Sequence, residues 1–457
     1  MLPVLVLAHN SFSQVKKTID SIRKHAAQIE DLQVIVVDNA STDGLSEWIK
    51  ENTDLSYVYF ENGMEPWGRV LNQVIKEFDF DSYFIILRAG FMITPYYFER
   101  LSDMACSYSK TCAIASIVTN SDNYSQQPIS IIDSYEKAVA YSNEHFGDIA
   151  ERTMGINTGA IMLSVDSYKQ ISGFQDDIWS LIVNFKILSI KLLLQDIPIM
   201  ICRSAVLYGD NDISYEHNDS LIHYEQDCVK AEDHYHMHYF NVDGNMNLLP
   251  LIEAPTDSSI VVMEIGCDCG ATLNIIKNNY PNSITYGVDI APGPIEIAKH
   301  IIDKAFVANI EAEDLDIPES SFDYIIFGDV LEHLHDPLKT LIYVKKFLKK
   351  DGKIIASIPN LMNISVMKQL IHGDFTYTET GLLDKTHIHF FTYNEIKKIF
   401  KEAGFNTSIS GISSPISTED SDIIDKLLQI DDTPERFMYE TFQYLVRADQ
   451  VVYEEDT

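Results

Sequence analysis

The chain has 457 residues, with 34 Lys and Arg against 68 Asp and Glu, a formal net charge of −34. That anionic excess repels phosphate and argues against nucleic acid or an anionic membrane as a partner. A hydrophobic fraction of 46% and an aromatic fraction of 11% supply enough apolar surface for packed cores, so an acidic disordered chain is excluded too.

Length predicts two or three domains. The six cysteines, at 106, 112, 202, 228, 267 and 269, have no CxxC spacing and read as reduced thiols. The opening MLPVLVLAHN has a short apolar run with no Lys or Arg before it. It reads as a buried first strand and not as a signal peptide. No apolar run reaches the roughly 18 residues of a membrane span. The expected location is the cytoplasm.

Val4 to Ala8 is a continuous apolar strand, and Val15, Ile19 and Ile22 mark one face of a helix running to Ala26. Leu32 to Val37 is a second strand that ends at Asp38. Tyr83–Leu87 and Ala160–Val165 are further strands. Apolar runs of this kind are buried on both faces, which predicts a mostly parallel α/β sheet with crossover helices.

The segment Val36-Val-Asp-Asn-Ala-Ser-Thr-Asp-Gly44, with the first strand VLVLAHN, resembles family 2 glycosyltransferases of GT-A fold over roughly 1–210. By that resemblance Asp38 would contact a nucleotide base, with Asp43 nearby. The later motifs depart from the family. Its metal-binding carboxylates fall at Arg88 and Gly90. Ser172-Gly-Phe-Gln-Asp-Asp177 resembles a family segment, but the acidic pair expected after it falls at Val183 and Asn184, and the closing His at Tyr208. The resemblance therefore implies a retained fold without glycosyl transfer. An Arg at the cation position could supply a fixed positive charge, so a bifunctional enzyme remains an alternative.

From about 211 to 256 the chain turns polar and reads as a connector with one or two helices. His234-Tyr-His-Met-His238 would put three imidazoles on one face of a strand. The preferred reading is a polar linker or, with Tyr235 and Tyr239, a wall of an acceptor pocket; no metal is assigned. Asn241 to Ile252 resembles a segment that covers the cofactor in the family named next.

At Ile260 the strand–helix pattern restarts. The strand to Ile265 runs into Gly266-Cys-Asp-Cys-Gly270 and a helix from Ala271. A glycine turn between strand and helix lets a ligand approach the backbone beside a helix N-terminus. Tyr286-Gly-Val-Asp289 ends the next strand in a carboxylate suited to ribose hydroxyls. Two more strands follow, Phe322–Phe327 and Lys353–Pro359.

VVMEIGCDCGAT, GVDI, FDYIIFGDVLEHLHDP and LKKDGKIIASIPN, in that order, resemble the motifs of class I S-adenosylmethionine (SAM) methyltransferases. The resemblance implies two Rossmann-like α/β domains, 1–210 and 257–457, joined by 211–256, with SAM as cofactor. It implies that Glu264, Gly266, Cys267 and Gly270 shape the SAM pocket, that Asp289 with Ile290 holds the ribose, and that Asn309 and Ile310 flank the adenine. Asp329, Val330 and His333 would line the methionine end. The loop departs from the family in having Asp268 for a glycine, a residue that tolerates left-handed backbone, and Asn309 stands for a common Asp.

Asp384-Lys-Thr-His387-Ile-His-Phe-Phe-Thr392 also resembles a stretch of the subfamily, with Thr392 as a helix N-cap. His387 is the leading candidate for general base, with Asp384 and His333 as its companions. Cys267 and Cys269 lie inside the cofactor loop and are given no metal. The pairing of halves implies a sugar or glycan acceptor and contact with other glycosylation enzymes; a scaffold without catalysis is the third alternative. The oligomeric state is open, a homodimer being the commonest assembly.

Overall fold

The computed structural model describes residues 1–108, 112–119, 126–147, 150–156, 159–209, 218–235, 244–413 and 415–451. The chain divides into two compact units, Met1–Asp243 and Gly244–Thr457.

The first unit holds a nine-stranded sheet: β1 (Leu2–Ala8), β2 (Leu32–Asp38), β3 (Ser56–Tyr59), β4 (Tyr83–Arg88), β5 (Met92–Ile93), β6 (Ala113–Val118), β7 (Glu151–Thr153), β8 (Ala160–Ser164) and β9 (Ile199–Tyr208). Their order is β3-β2-β1-β4-β8-β6-β9-β5, with β7 beside β9. β3, β2, β1 and β4 run parallel, while β8 is antiparallel to both β4 and β6. The expected parallel sheet is thus the N-terminal part of a mixed one. Val4, Val6, Val36, Ile85 and Leu87 are buried against Val15, Ile19 and Ile22 of the helix Phe12–Ala26, as the helical spacing requires.

The second unit has β10 (Val261–Ile265), β11 (Ile284–Asp289), β12 (Lys304–Val307), β13 (Phe322–Gly328), β14 (Leu348–Pro359), β15 (Phe405–Ser413) and β16 (Thr441–Gln450). The order is β12-β11-β10-β13-β14-β16-β15. The first five strands are parallel, and β16 is antiparallel to both β14 and β15. β10 lies between β11 and β13, so chain order reverses there. Ligands of open α/β sheets bind outside the carboxyl ends of the strands at such a reversal.

The stretch 211–256 is shared between the two units. Helix Asn218–Tyr235 belongs to the first, where Tyr224, Cys228, Ala231 and Tyr235 pack on Ile178, Val183 and Ile187. Asp227 anchors it by accepting the N–H groups of Trp179 and Ser180, each at 2.8 Å. The short 3₁₀ helix Met246–Leu251 belongs to the second. His234 lies in the last turn of the long helix. His236, His238, Tyr239 and residues 241–243 lie outside the described residues, so the three-imidazole face is not among the described features.

Candidate functional site

Burial of β10 on both faces carries Glu264 into the interior, 3% exposed. Its carboxyl takes a bond from the Thr272 side chain, while Oε2 has no partner. Desolvation pushes the group up to about 8.

The chain then turns at Gly266, φ +70°, where an added Cβ would stand 2.4 Å from Cγ2 of Val330. Only a glycine permits that approach of the loop after β10 to the loop after β13. Asp268 takes φ +47°, the left-handed conformation its side chain was expected to tolerate. Its N–H donates to Asp289 Oδ2 at 2.9 Å, and Ala291 N–H donates to Oδ1 at 2.8 Å. Asp289 thus ties the glycine turn to the end of β11. Ile290 beside it is exposed, and Gly270 opens the helix Ala271–Asn279 with φ +85°.

The two thiols of this loop are turned inward. Cys267 is 4% exposed, its Sγ pressed against the β11 backbone at Gly287. Burial, reinforced by neighbouring carboxylates, raises both the Cys267 and Cys269 thiols well above their ordinary value. Protonated buried thiols are inert toward metal and oxidant.

Asn309 bends its own loop: Oδ1 accepts the Glu311 N–H at 3.0 Å. With Ile310, His335 and Tyr343 it lines a cavity of about 480 Å³.

Past β13, Asp329 has φ +55° and donates its N–H to Ser357 Oγ at 3.1 Å, while its carboxyl accepts the Gln443 amide. Desolvation raises its pKa against those bonds. The loop 384–389 is fastened to the turn Leu331–His333 through main chain: the Glu332 carbonyl accepts the N–H groups of Ile388 and His389, each at 3.0 Å.

This brings His387 beside His333, ring centroids 4.8 Å apart. His387 is 8% exposed; burial, then the His333 charge, lowers its pKa, while Asp384 opposes. Asp384, despite partial desolvation, is held below the usual carboxylate range by the Thr386 hydroxyl and N–H, which donate to Oδ1 at 2.6 and 2.7 Å. Thr392 caps the helix Tyr393–Glu402 as expected, accepting from Glu395 N–H.

Sequence reasoning included Glu332 only within the span Asp329 to His333 at the methionine end and gave it no role of its own. It is 1% exposed, and neither carboxylate oxygen has a hydrogen-bond partner. Burial, then the charges of Asp329 and Asp384, pushes it well above the ordinary carboxyl value. Its place in the Glu-His dipeptide was the only available signal, and that does not distinguish an inward carboxylate from a solvated one.

In the first unit Asp38 is fully buried. Its Oδ1 accepts the Ser41 N–H at 2.8 Å and its Oδ2 the Tyr57 hydroxyl at 2.7 Å. Asp43 accepts the Phe12 N–H at 2.7 Å. Val183 and Asn184, where the family has acids, are each 1% exposed inside the helix Leu181–Leu193. Asn184 donates to the carbonyls of Ile178 and Ser180. These positions make core contacts.

Residues 234–408 match the family model of a methyltransferase domain. The second unit carries a methyltransferase domain. Residues 4–168 match glycosyl transferase family 2. Curated relatives include the malonyl-[acyl-carrier protein] O-methyltransferase of Paenibacillus sp. (strain JDR-2), 26% identical over 32% of this chain and 55% of its own length. The demethylmenaquinone methyltransferase of Listeria welshimeri is 23% identical over 28% of this chain and 61% of its own.

The chain therefore spans little more than half of these relatives. Among solved structures, a SAM-dependent methyltransferase from Archaeoglobus fulgidus is 17% identical, covering 45% of this chain and 90% of that one with a TM-score of 0.31. Another from Aquifex aeolicus is 14% identical, covering 43% and 85% with a TM-score of 0.30.

The residues of this methyltransferase domain fit SAM as its cofactor. The unpartnered, buried Oε2 of Glu264 lies where a cationic ligand would complete it. The turn beside it is stripped of a side chain at Gly266, where a Cβ cannot be placed. Among the described residues no helix is long and apolar enough to cross a membrane.

Proposed function

We propose that the chain methylates an oxygen or nitrogen of a sugar or glycan-pathway acceptor, using SAM bound outside β10 and β11. The observation that carries the cofactor reading is the buried, half-satisfied Glu264 beside the Gly266 turn. Glu264, Gly266, Cys267 and Gly270 would shape the pocket, Asp289 and Ile290 would face the ribose, Asn309 and Ile310 the adenine, and Asp329, Val330 and His333 the methionine end.

When bound, SAM supplies an electrophilic methyl group on a sulfonium. The chain's residues position the acceptor and manage its proton. His387, His333 and Asp384 lie together for that task. Beside His387, the rings of Phe375, Tyr377 and Phe390 form an edge-to-face cluster whose first two members are half exposed. An exposed aromatic surface at this place suits the apolar face of a sugar ring.

The first unit is read as a family 2 fold without glycosyl transfer that binds the acceptor or a glycosylation partner. Support comes from the buried, fully engaged Asp38 and from Asn184 and Val183 in the core. The free thiols fit a cytoplasmic location.

The test is calorimetric titration of the full chain with SAM, followed by transfer of labelled methyl from SAM to glycan extracts. Micromolar binding and label in a glycan fraction are expected. Absence of SAM binding would sink the enzyme reading in favour of a scaffold.

A further inference from the structure

The turn after β13 carries Glu332 and His333, and the loop 384–389 brings His387 beside them. We propose that Glu332, His333 and His387 form a site for one divalent transition-metal ion of the zinc or manganese class, with coordination positions left open toward the acceptor.

One ligand atom from each of the three residues lies within 4.8 Å of the other two. Glu332 is 1% exposed and neither of its oxygens has a hydrogen-bond partner. Burying a carboxyl with both oxygens idle is costly unless a cation completes it. Both rings are set for ligation. His333 Nδ1 faces the Thr386 carbonyl at 3.2 Å, and the His387 ring donates to the Leu382 carbonyl. Each imidazole thus spends one nitrogen on main chain and keeps a lone pair on the other, the arrangement that orients metal-bound histidine.

The two segments, more than fifty residues apart in sequence, are held in register by the paired bonds from Ile388 and His389 to the Glu332 carbonyl. Tetrahedral ligation at about 2.0–2.1 Å puts ligand atoms about 3.3 Å apart. The His333 ring is exposed, so a small shift that keeps its Nδ1 on Thr386 can narrow the remaining gap.

The donor set selects the ion. Two imidazoles and one carboxylate suit zinc and its first-row neighbours, and catalytic zinc sites keep a fourth position open. Calcium and magnesium prefer oxygen throughout. Asp329 and Asp384 add negative charge around the cluster. The role of the ion rests on the methyl-transfer reading above. Val330, which closes on Gly266, precedes Glu332 by two residues, and Phe390 lies against His387. An acceptor hydroxyl bound at the open position would be fixed there and made more acidic by the ion. With the ion bound, His387 serves as a ligand in place of the proton-accepting role given above, and the hydroxyl proton leaves to solvent water as its oxygen takes the methyl group.

The full chain, stripped with a chelator, is titrated with Zn²⁺ and with Mn²⁺ by calorimetry, and with SAM in parallel. One ion per chain is expected, with affinity reduced tenfold or more in Glu332→Gln and in His333→Ala. Melting curves check each variant's fold. Pulsed EPR of the Mn²⁺ complex of the unmodified chain should show coupling to imidazole nitrogen, a readout independent of any variant. No ion binding, unchanged affinity in both folded variants, or no nitrogen coupling would each overturn the site. SAM binding without ion binding removes the metal site alone; ion binding without SAM binding keeps the site and overturns the methyl-transfer reading.

Discussion

The substitution Glu264→Gln keeps the size of the side chain and removes its titration. The wild-type carboxyl has a value of about 8 in the folded unit against 4.5 ordinarily, through burial. Below pH 4.5 folded and unfolded chains both hold the proton, and the group costs nothing.

As pH rises, the unfolded chain loses its proton first, so wild-type stability falls by about 1.4 kcal/mol per pH unit and levels off above pH 8. The accumulated cost is about 3.4 kcal/mol at pH 7 and about 5 kcal/mol on the plateau. The variant lacks this slope, although its buried amide gives back about 1–2 kcal/mol for donors left unmet.

Urea melts of the full chain at pH 5.5, 6.5 and 7.5, following the transition that SAM shifts, should show the variant gaining on the wild type by more than 1 kcal/mol per pH unit. Calorimetry in buffers of different ionisation enthalpy should show nearly one proton released when SAM binds the wild type at pH 7, and none in the variant. Parallel pH curves for the two proteins, with no proton released, would refute the reasoning.

Gly266→Ala combines a positive φ with a methyl 2.4 Å from Val330. It should weaken SAM binding at least tenfold, and Val330→Ala in the same chain should restore only part of it, because the backbone strain persists; calorimetry reads both. Tyr57→Phe leaves Asp38 Oδ2 without its hydroxyl. It should cost the first unit about 1–3 kcal/mol in urea melts while SAM affinity is unchanged. Nucleoside diphosphate sugars with Mn²⁺ should give no calorimetric signal at the first unit, and a signal that disappears in Asp38→Ala would restore the bifunctional alternative.

Local sequence determined much of the second unit. The apolar run to Ile265, the glycines at 266 and 270, the acid at 289 and the threonine at 392 each specify a conformation through backbone sterics or a single short-range hydrogen bond. Such features need no knowledge of distant residues. In the first unit the same reasoning marked Arg88, Gly90, Val183 and Asn184 as departures from a family pattern, and these positions belong to a strand end, the turn after it and a packed interior.

What only the tertiary structure decided depends on contacts between residues far apart in the chain. The polar stretch 211–256 has no period strong enough to assign it. Its helix is placed by Asp227 reaching Trp179 and Ser180, so it belongs to the first unit. Asp38 reads as a ligand-binding acid in sequence, yet Tyr57, 19 residues away, occupies it. The burial of Glu332 was invisible for the same reason. Whether a carboxylate beside a histidine faces water or the interior is decided by the loop that folds over it, and that loop is fixed by two main-chain bonds from Ile388 and His389. The sequence determined which backbone turns the chain can make; long-range packing decided which of its acids are buried and without a partner.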